Sequence, residues 1–153
     1  MLNWVKTQYP IMDEPSAGYV LLDHPADVGI EAFGKDLAGA FVQAALALMS
    51  VILDPGKIDG TQSRAIDLEG VDREHLLMKW LTEVLYLYDG QGFAAGHFVI
   101  SELSSTRLKA TLSGEPFDAI KHAPRLDVKA VTYHQLLVEE AAEGARVRVF
   151  LDI

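Results

Sequence analysis

Apolar residues recur at helical spacing in two stretches of the chain, and each stretch predicts an amphipathic helix. The first helix is predicted over residues 37–52, with Asp36 as its N-cap and Asp54-Pro55-Gly56 after its end. The second is predicted over residues 72–88, and Asp89-Gly90 is expected to end it. The apolar stripes of both helices are typical of faces that pack into a core.

Alternation of apolar and polar residues predicts about seven short strands. Residues 139–144 are a polar run and predict a hairpin turn. In the strand after this turn, Val147, Val149 and Leu151 are expected to face one way and Asp152 the other. The pattern therefore predicts an α+β domain with both helices packed on one face of a mostly antiparallel sheet. The predicted strands are 19–22, 28–33, 62–69, 98–103, 107–113, 128–138 and 146–152.

The first residues and the composition of the chain exclude several classes of protein. Residues 1–18, which contain Pro10 and Pro15, are expected to be a leader ahead of a single domain over residues 19–153. The leader lacks a basic stretch followed by an apolar one, and no apolar run approaches the ~18 residues that span a bilayer. The absence of cysteine excludes disulfide and thiolate chemistry. A cytoplasmic protein with no membrane partner is expected.

The charge of the chain is strongly acidic, with 13 Lys and Arg against 22 Asp and Glu and a formal net charge of −9. Such a surface repels phosphate backbones, so stable direct binding of nucleic acid is not expected. It suits cations or a basic protein partner, although acidity that only keeps the protein in solution is an equally good interpretation. Nucleophile elbows, phosphate-binding glycine loops and zinc-like His and Cys clusters are all missing, so no local motif indicates an enzyme.

Three segments carry candidate chemistry. Asp27 lies between two predicted strands, where its carboxylate fits either an acceptor for turn N–H groups or a ligand for a hard cation. His24 would orient Asp27 or exchange protons, and Gly29 inside a strand indicates close approach of a backbone or ligand. Lys129, in a predicted strand, either reaches to solvent or neutralises a phosphate or a partner's carboxylate. At the chain end, Asp152 and the α-carboxylate of Ile153 repel each other unless a cation, Arg or Lys lies between them, and a frayed terminus is the alternative.

These segments occur in an order that resembles the archease family. The matching stretches are HPADVGI at residues 24–30, VKAVTYH at 128–134 and the terminal DI, and the resemblance covers residues 19–153. Gly114-Glu115-Pro116 is a further match. The sequence departs from the family pattern at Pro25, which replaces the commoner Thr, and in its longer leader.

The resemblance implies a function and a site. It implies an accessory protein, without catalytic activity of its own, that activates the GTP-dependent tRNA-splicing RNA ligase by promoting its guanylylation and repeated turnover. It also implies a divalent metal ion, Ca²⁺ before Mg²⁺ or another ion, held by Asp27, Asp152 and the carboxylate of Ile153, with Lys129 on the same surface. Two other functions stay open: a small hydrolase that uses His24 and Asp27 as an acid–base pair, and a scaffolding module with an exposed apolar sheet face.

Overall fold

The computed structural model describes residues 17–24 and 27–153, without the side chains of Asp23 and His24. Within these ranges the chain forms seven strands, two long helices, one short helix and one 3-10 turn. The strands are β1 (Gly18–His24), β2 (Asp27–Gly34), β3 (Gln62–Glu69), β4 (Phe93–Leu103), β5 (Arg107–Pro116), β6 (Ala130–Ala141) and β7 (Gly144–Asp152). The helices are α1 (Leu37–Ile52), α2 (Arg73–Gln91) and α3 (Ala119–His122), and the 3-10 turn is Pro55–Lys57.

The predicted α+β class is confirmed, but the strands divide between two sheets instead of forming one. The first sheet has the order β1-β2-β7-β6 and the second has the order β3-β5-β4, and every pairing is antiparallel. Alternation tells which face of a strand is buried and does not tell which strand lies beside it. The division was therefore not readable from the pattern, and neither was the central pairing of β2 with β7.

The two long helices pack against strands of both sheets and against each other. Helix α1 contacts β2 and β7 of the first sheet and β4 of the second, while α2 contacts β6 and β4. Trp80 is fully buried at this junction, where its indole N–H donates to the carbonyl oxygen of Phe41 at 2.9 Å. Its ring also meets Phe98 edge to face at 5.9 Å between centroids. The core thus lies between the helices and the two sheets, and the predicted apolar stripes face it.

The helix starts agree with the sequence and the end of α2 does not. The Asp36 carboxylate accepts the N–H of Gly39 at 2.8 Å and caps α1 as predicted. Helix α2 continues through Asp89-Gly90 and ends at Gln91. Gly92 follows as its C-cap, adopts φ 64° and ψ 33°, and donates its N–H to the carbonyl oxygen of Tyr88. This left-handed conformation favours glycine, so the second glycine of the Gly-Gln-Gly stretch is the cap.

Two strand boundaries also differ from the prediction. Strand β4 begins at Phe93, five residues before the predicted start. Residues 93–96 are all buried and show no alternation, so the pattern did not indicate a strand there. Strand β6 runs to Ala141, so the predicted turn over 139–144 shrinks to Ala142 and Glu143. Helix α3 was not predicted, since four residues are too few to show a helical period. The predicted leader lies outside the described residues, except for residue 17 and Gly18 at the start of β1.

No helix in the described part of the chain is long and apolar enough to cross a membrane.

We predict that Gly114→Ala strongly destabilises the fold. A Cβ at this position would overlap the carbonyl oxygen of Ala94 on the neighbouring strand, so β4 and β5 would have to separate. We expect a loss of about 3 kcal/mol in the free energy of unfolding, the upper part of the range for overpacking. Urea unfolding measures it, with Ser113→Ala on the same strand as the control. Equal stability of Gly114→Ala and the wild type would contradict the close approach.

Candidate functional site

Two of the predicted ligands lie opposite each other at one end of the first sheet. Asp27 is the first residue of β2, Asp152 is the last residue of β7, and they are direct partners in the antiparallel register. Directly opposed residues place their side chains on the same face, with Cβ atoms about 4.5–5.5 Å apart. Asp27 is half-buried and Asp152 is exposed. The two carboxylates therefore share one face at the open end of the sheet.

The chain terminus is held beside this pair. The side chain of Ile153 is half-buried and packs against the hydrophobic core. A packed terminal side chain argues against the frayed end that the sequence left open. The α-carboxylate of Ile153, which the resemblance implies as the third ligand, would then lie directly beyond Asp152 at the same end.

Lys129 and His24 also reach this end through their backbones. Lys129 is exposed, directly precedes β6 and donates its N–H to the carbonyl oxygen of Asp152 at 2.8 Å. His24 is the last residue of β1, and the register places its backbone opposite Asp27. The side chain of His24 lies outside the described part of the structure, so its predicted role stays a prediction. All five predicted site residues thus occupy one end of the first sheet, which we call the acidic end.

The glycine in the first motif makes room for an aromatic ring. Gly29 is opposite Phe150 in the register, and a Cβ on Gly29 would lie 2.9 Å from the ring of Phe150 and 3.2 Å from Cβ of Leu22. The close approach expected at Gly29 is therefore that of side chains, not of a backbone or a ligand. Since Gly29 and Asp27 are two residues apart on one strand, the ring lies on the same face as the acidic pair.

The second motif forms a bulge beside this ring. The β6–β7 register breaks between Thr132, opposite Phe150, and Leu137, opposite Arg148. The intervening residues project from the strand: the ring of His134 meets Phe150 at 5.5 Å between centroids, and Gln135 adopts a positive φ of 51°. Bulges often re-aim side chains next to functional sites. The sequence showed a regular strand here because a bulge leaves no trace in residue type alone.

The donor set at the acidic end fits a hard divalent cation. Two aspartates and one α-carboxylate offer only oxygen, which Ca²⁺ and Mg²⁺ prefer, and water completes such a coordination shell. Among the described residues no three His, Cys, Asp or Glu side chains gather as a metal site, so a third protein anion from this part of the chain would be the α-carboxylate. A cleft of about 540 Å³ between the start of α1 and the β4–β5 turn touches none of the acidic-end residues.

A second polar cluster, which the sequence did not reveal, surrounds His122. This ring is fully buried, and its Nδ1 accepts the N–H of Asp118 at 2.9 Å. A nitrogen that accepts a hydrogen bond from N–H carries no proton, so Nε2 carries it and donates to Glu115 at 2.9 Å. His122 had no partner in the sequence pattern, because Glu115 lies at the end of β5 and His122 at the end of α3, and the turn between these elements brings the two together.

Glu115 connects His122 to two more residues. Its carboxylate also accepts from the Lys121 ammonium at 2.8 Å and from the N–H of Asp59 at 2.9 Å, while Lys121 contacts the Asp59 carboxylate at 2.7 Å. The hydrogen bond from Lys121, then those from Asp59 and His122, lower the pKa of Glu115 to about 2. We call Asp59, Glu115, Lys121 and His122 the Glu115 cluster.

Comparison with known proteins identifies the family. The profile of the "Archease protein family (MTH1598/TM1083)" matches residues 19–153. The chain is 38% identical to the protein archease of Methanosarcina acetivorans over 145 residues, which cover 91% of this chain and 99% of that one. It is 40% identical to the protein archease of Pyrococcus furiosus over 125 residues, covering 80% and 88%.

Solved structures agree with this likeness. The solution structure of protein 1598 of Methanobacterium thermoautotrophicum superimposes with a TM-score of 0.74 at 31% identity, covering 89% of this chain and 99% of that one. The crystal structure of an archease from Thermotoga maritima, described as a possible chaperone, has a TM-score of 0.61 at 20% identity, covers 95% and 100%, and supports the fold alone. The fold and the comparisons together place the chain in the class of small α+β proteins with the archease fold. The chain belongs to the archease family.

The low pKa of Glu115 predicts a pH-dependent contribution to stability. A carboxyl whose pKa is about 2 when folded and 4.5 in its ordinary state stabilises the fold above pH 4.5 and loses that contribution as the pH falls towards 2. We expect Glu115→Gln to be less stable than the wild type at pH 7 and the difference to shrink between pH 5 and about pH 2. Urea unfolding at several pH values measures it.

Glu143→Gln, in the exposed β6–β7 turn, is the control for removing one carboxylate. A stability difference between Glu115→Gln and the wild type that stays constant down to pH 3 or lower would show that the Glu115 cluster does not hold this carboxylate ionised.

Proposed function

We propose that this chain activates a GTP-dependent RNA ligase that joins a 2′,3′-cyclic or 3′-phosphate end to a 5′-hydroxyl. In this proposal it promotes guanylylation of the ligase histidine and so supports repeated turnover. Membership of the archease family supports an archease role. The observation that carries the proposal is the placement of Asp27 opposite Asp152, with the α-carboxylate of Ile153 next to them.

The three carboxylates would hold a divalent ion, Ca²⁺ before Mg²⁺, at an exposed end of the protein where a partner can approach. When bound, such an ion supplies positive charge that offsets phosphate oxygens during transfer of GMP to the ligase. The chain's own residues set the position: the core holds Ile153, and the β2–β7 register holds both aspartates. The exposed Lys129 side chain would contact a phosphate or a partner's carboxylate there.

The partner in this proposal is a protein, not free RNA. With a net charge of −9, the chain repels a phosphate backbone but is attracted to the basic surface that a GTP- and RNA-binding enzyme must carry. The chain would act as an accessory protein in the cytoplasm beside the ligase. The hydrolase alternative differs from it in one respect: a hydrolase would turn over a substrate without the ligase.

The proposed metal site predicts a measurable affinity for Ca²⁺. We expect the wild type to bind Ca²⁺, and we expect Asp27→Asn and Asp152→Asn each to weaken binding at least about tenfold, because each removes one of the charged oxygen ligands. Isothermal titration measures it, with Mg²⁺ titrated in parallel. Glu143→Gln removes the same charge in the β6–β7 turn, at the other end of β7 from Asp152, and is expected to bind like the wild type. If both aspartate variants bind Ca²⁺ as tightly as the wild type, the proposed metal site is wrong.

The proposed activity predicts loss of stimulation without loss of folding. We expect Asp27→Ala and Asp152→Ala to abolish stimulation of repeated joining while their thermal unfolding stays close to that of the wild type. The assay counts joined RNA molecules per ligase with GTP and excess RNA carrying a 3′-phosphate and a 5′-hydroxyl, with Glu143→Gln as the control.

The chain without ligase is run beside these samples and is expected to join or hydrolyse nothing. Repeated joining with either variant at the wild-type rate would contradict the role of the acidic end, and turnover by the chain alone would favour the hydrolase.

A further inference from the structure

The first sheet has a face that points away from the helices, and the centre of that face is buried. We call it the outer face. Glu31 is 1% exposed there and Arg146 is 3% exposed, although both are charged. Leu22, Phe33 and Phe150 are the buried apolar residues of the described chain that lie outside the hydrophobic core, and all three belong to this face. The outer face consists of Leu22 of β1, Gly29, Glu31 and Phe33 of β2, and Arg146, Arg148 and Phe150 of β7.

The described elements do not account for this burial. Helices α1 and α2 pack against the first sheet through core residues such as Ala32 and Val149, which alternate with those of the outer face. An antiparallel sheet commonly has one solvated face, and the second sheet shows it: in its central strand β5, Leu112 is buried and Thr111 is exposed. Strand β2 is instead buried at every residue from Val28 to Gly34. The outer face therefore has a cover that the described residues do not supply.

The cover must suit a face that is apolar and carries balanced charges. A guanidinium nitrogen of Arg146 lies 2.8 Å from a carboxylate oxygen of Glu139, and another lies 3.8 Å from one of Glu31. Arg148 lies 4.0 Å from the second oxygen of Glu31. Two arginines and two glutamates leave no net charge, so the face does not attract a strongly basic or acidic partner. Apolar contact with the two aromatic rings offsets the cost of taking these ion pairs out of water.

The chain itself has a segment that begins at this face. Gly18, the first residue of β1, is opposite Phe33, so residues 1–16 join the sheet at the Phe33 end of the outer face. Phe33 and Gly29, the partner of Phe150, are four residues apart on β2, which is about 13 Å along a strand. Sixteen extended residues span up to about 50 Å. The segment is therefore long enough to pass over both rings.

The composition of residues 1–16 also fits the outer face. Lys6 is the one charged side chain before Asp13, so most of the segment is uncharged. A segment of the same chain has a high effective concentration at the face, which favours it over a separate partner. Its large apolar residues after the first methionine are Leu2, Trp4, Val5, Tyr9, Ile11 and Met12.

We infer that residues 1–16 lie across the outer face of the same chain and cover Phe33 and Phe150. The archease profile matches residues 19–153, so this contact involves a segment that the family profile does not match. Asp152 is exposed, so the cover leaves the acidic end open to a partner. The inference depends neither on the proposed ligase nor on the proposed metal ion.

The test uses a spin label on the full chain. The sequence has no cysteine, so Thr7→Cys gives a single attachment point for a nitroxide, which broadens the signals of nearby backbone amides. We expect the amide signals of Glu31, Phe33 and Arg148 to lose most of their intensity and to regain it when the nitroxide is reduced. The signal of Thr111, on the second sheet, is expected to keep its intensity.

The matched control carries the same label on the second sheet. Thr111→Cys places it at an exposed position whose strand neighbours are Ala65 and Val99. This label is expected to broaden the amide signals of those two neighbours and to leave those of Glu31 and Arg148 sharp. The two labels thus distinguish the sheets.

Two results would overturn the inference. If the label at position 7 leaves the outer face as sharp as the second sheet, residues 1–16 do not cover it and another molecule does. If the broadening also appears when a labelled chain is mixed with an unlabelled, isotope-enriched chain, the segment comes from a second copy, and light scattering will show a dimer. The inference expects no broadening in the mixed sample.

Discussion

The pairing of β2 with β7 is the constraint on which the site depends. It joins the beginning of the described domain to the last residues of the chain, from Asp27 opposite Asp152 to Gly34 opposite Ala145. On one face, Ile30 and Val149 are fully buried partners in the core. A slip of one residue would turn this apolar face away from the core and put Glu31 and Arg146 in its place, so the core fixes the register that brings the acidic residues together.

The same pairing brings negatively charged groups together at its open end, and their repulsion opposes it. Two carboxylates on opposed residues, with an α-carboxylate one position further, repel one another. The hydrophobic contacts of β2, β7 and Ile153 offset this cost, and a bound cation would remove it. Such a site needs no loop of its own, because it uses the ends of strands that the fold must pair in any case.

The sequence predicted the elements better than their arrangement. Asp36 and the apolar stripe of α1 were readable because capping and helical period are local properties. The division into two sheets and the bulge after Thr132 were not, since each depends on contacts between separate strands. The partner of His122 was not either, because the turn between β5 and α3 brings Glu115 to it without a periodic pattern. For the site, the position of Asp27 between two predicted strands fitted two roles equally, an acceptor of turn N–H groups and a ligand for a cation. The order of motifs that resembles archeases selected Asp152 and Ile153, and the metal itself stays a prediction.

The most direct measurement of the central claim is paramagnetic broadening of backbone amide signals by Mn²⁺, a divalent probe that also prefers oxygen ligands. It surveys every amide without assuming a site. We expect broadening at low Mn²⁺ to centre on Asp27, Asp152 and Ile153 and added Ca²⁺ to reverse it. Broadening centred on the cleft at the other end of the molecule, near Asp36 and Glu102, with the acidic end unaffected, would contradict it.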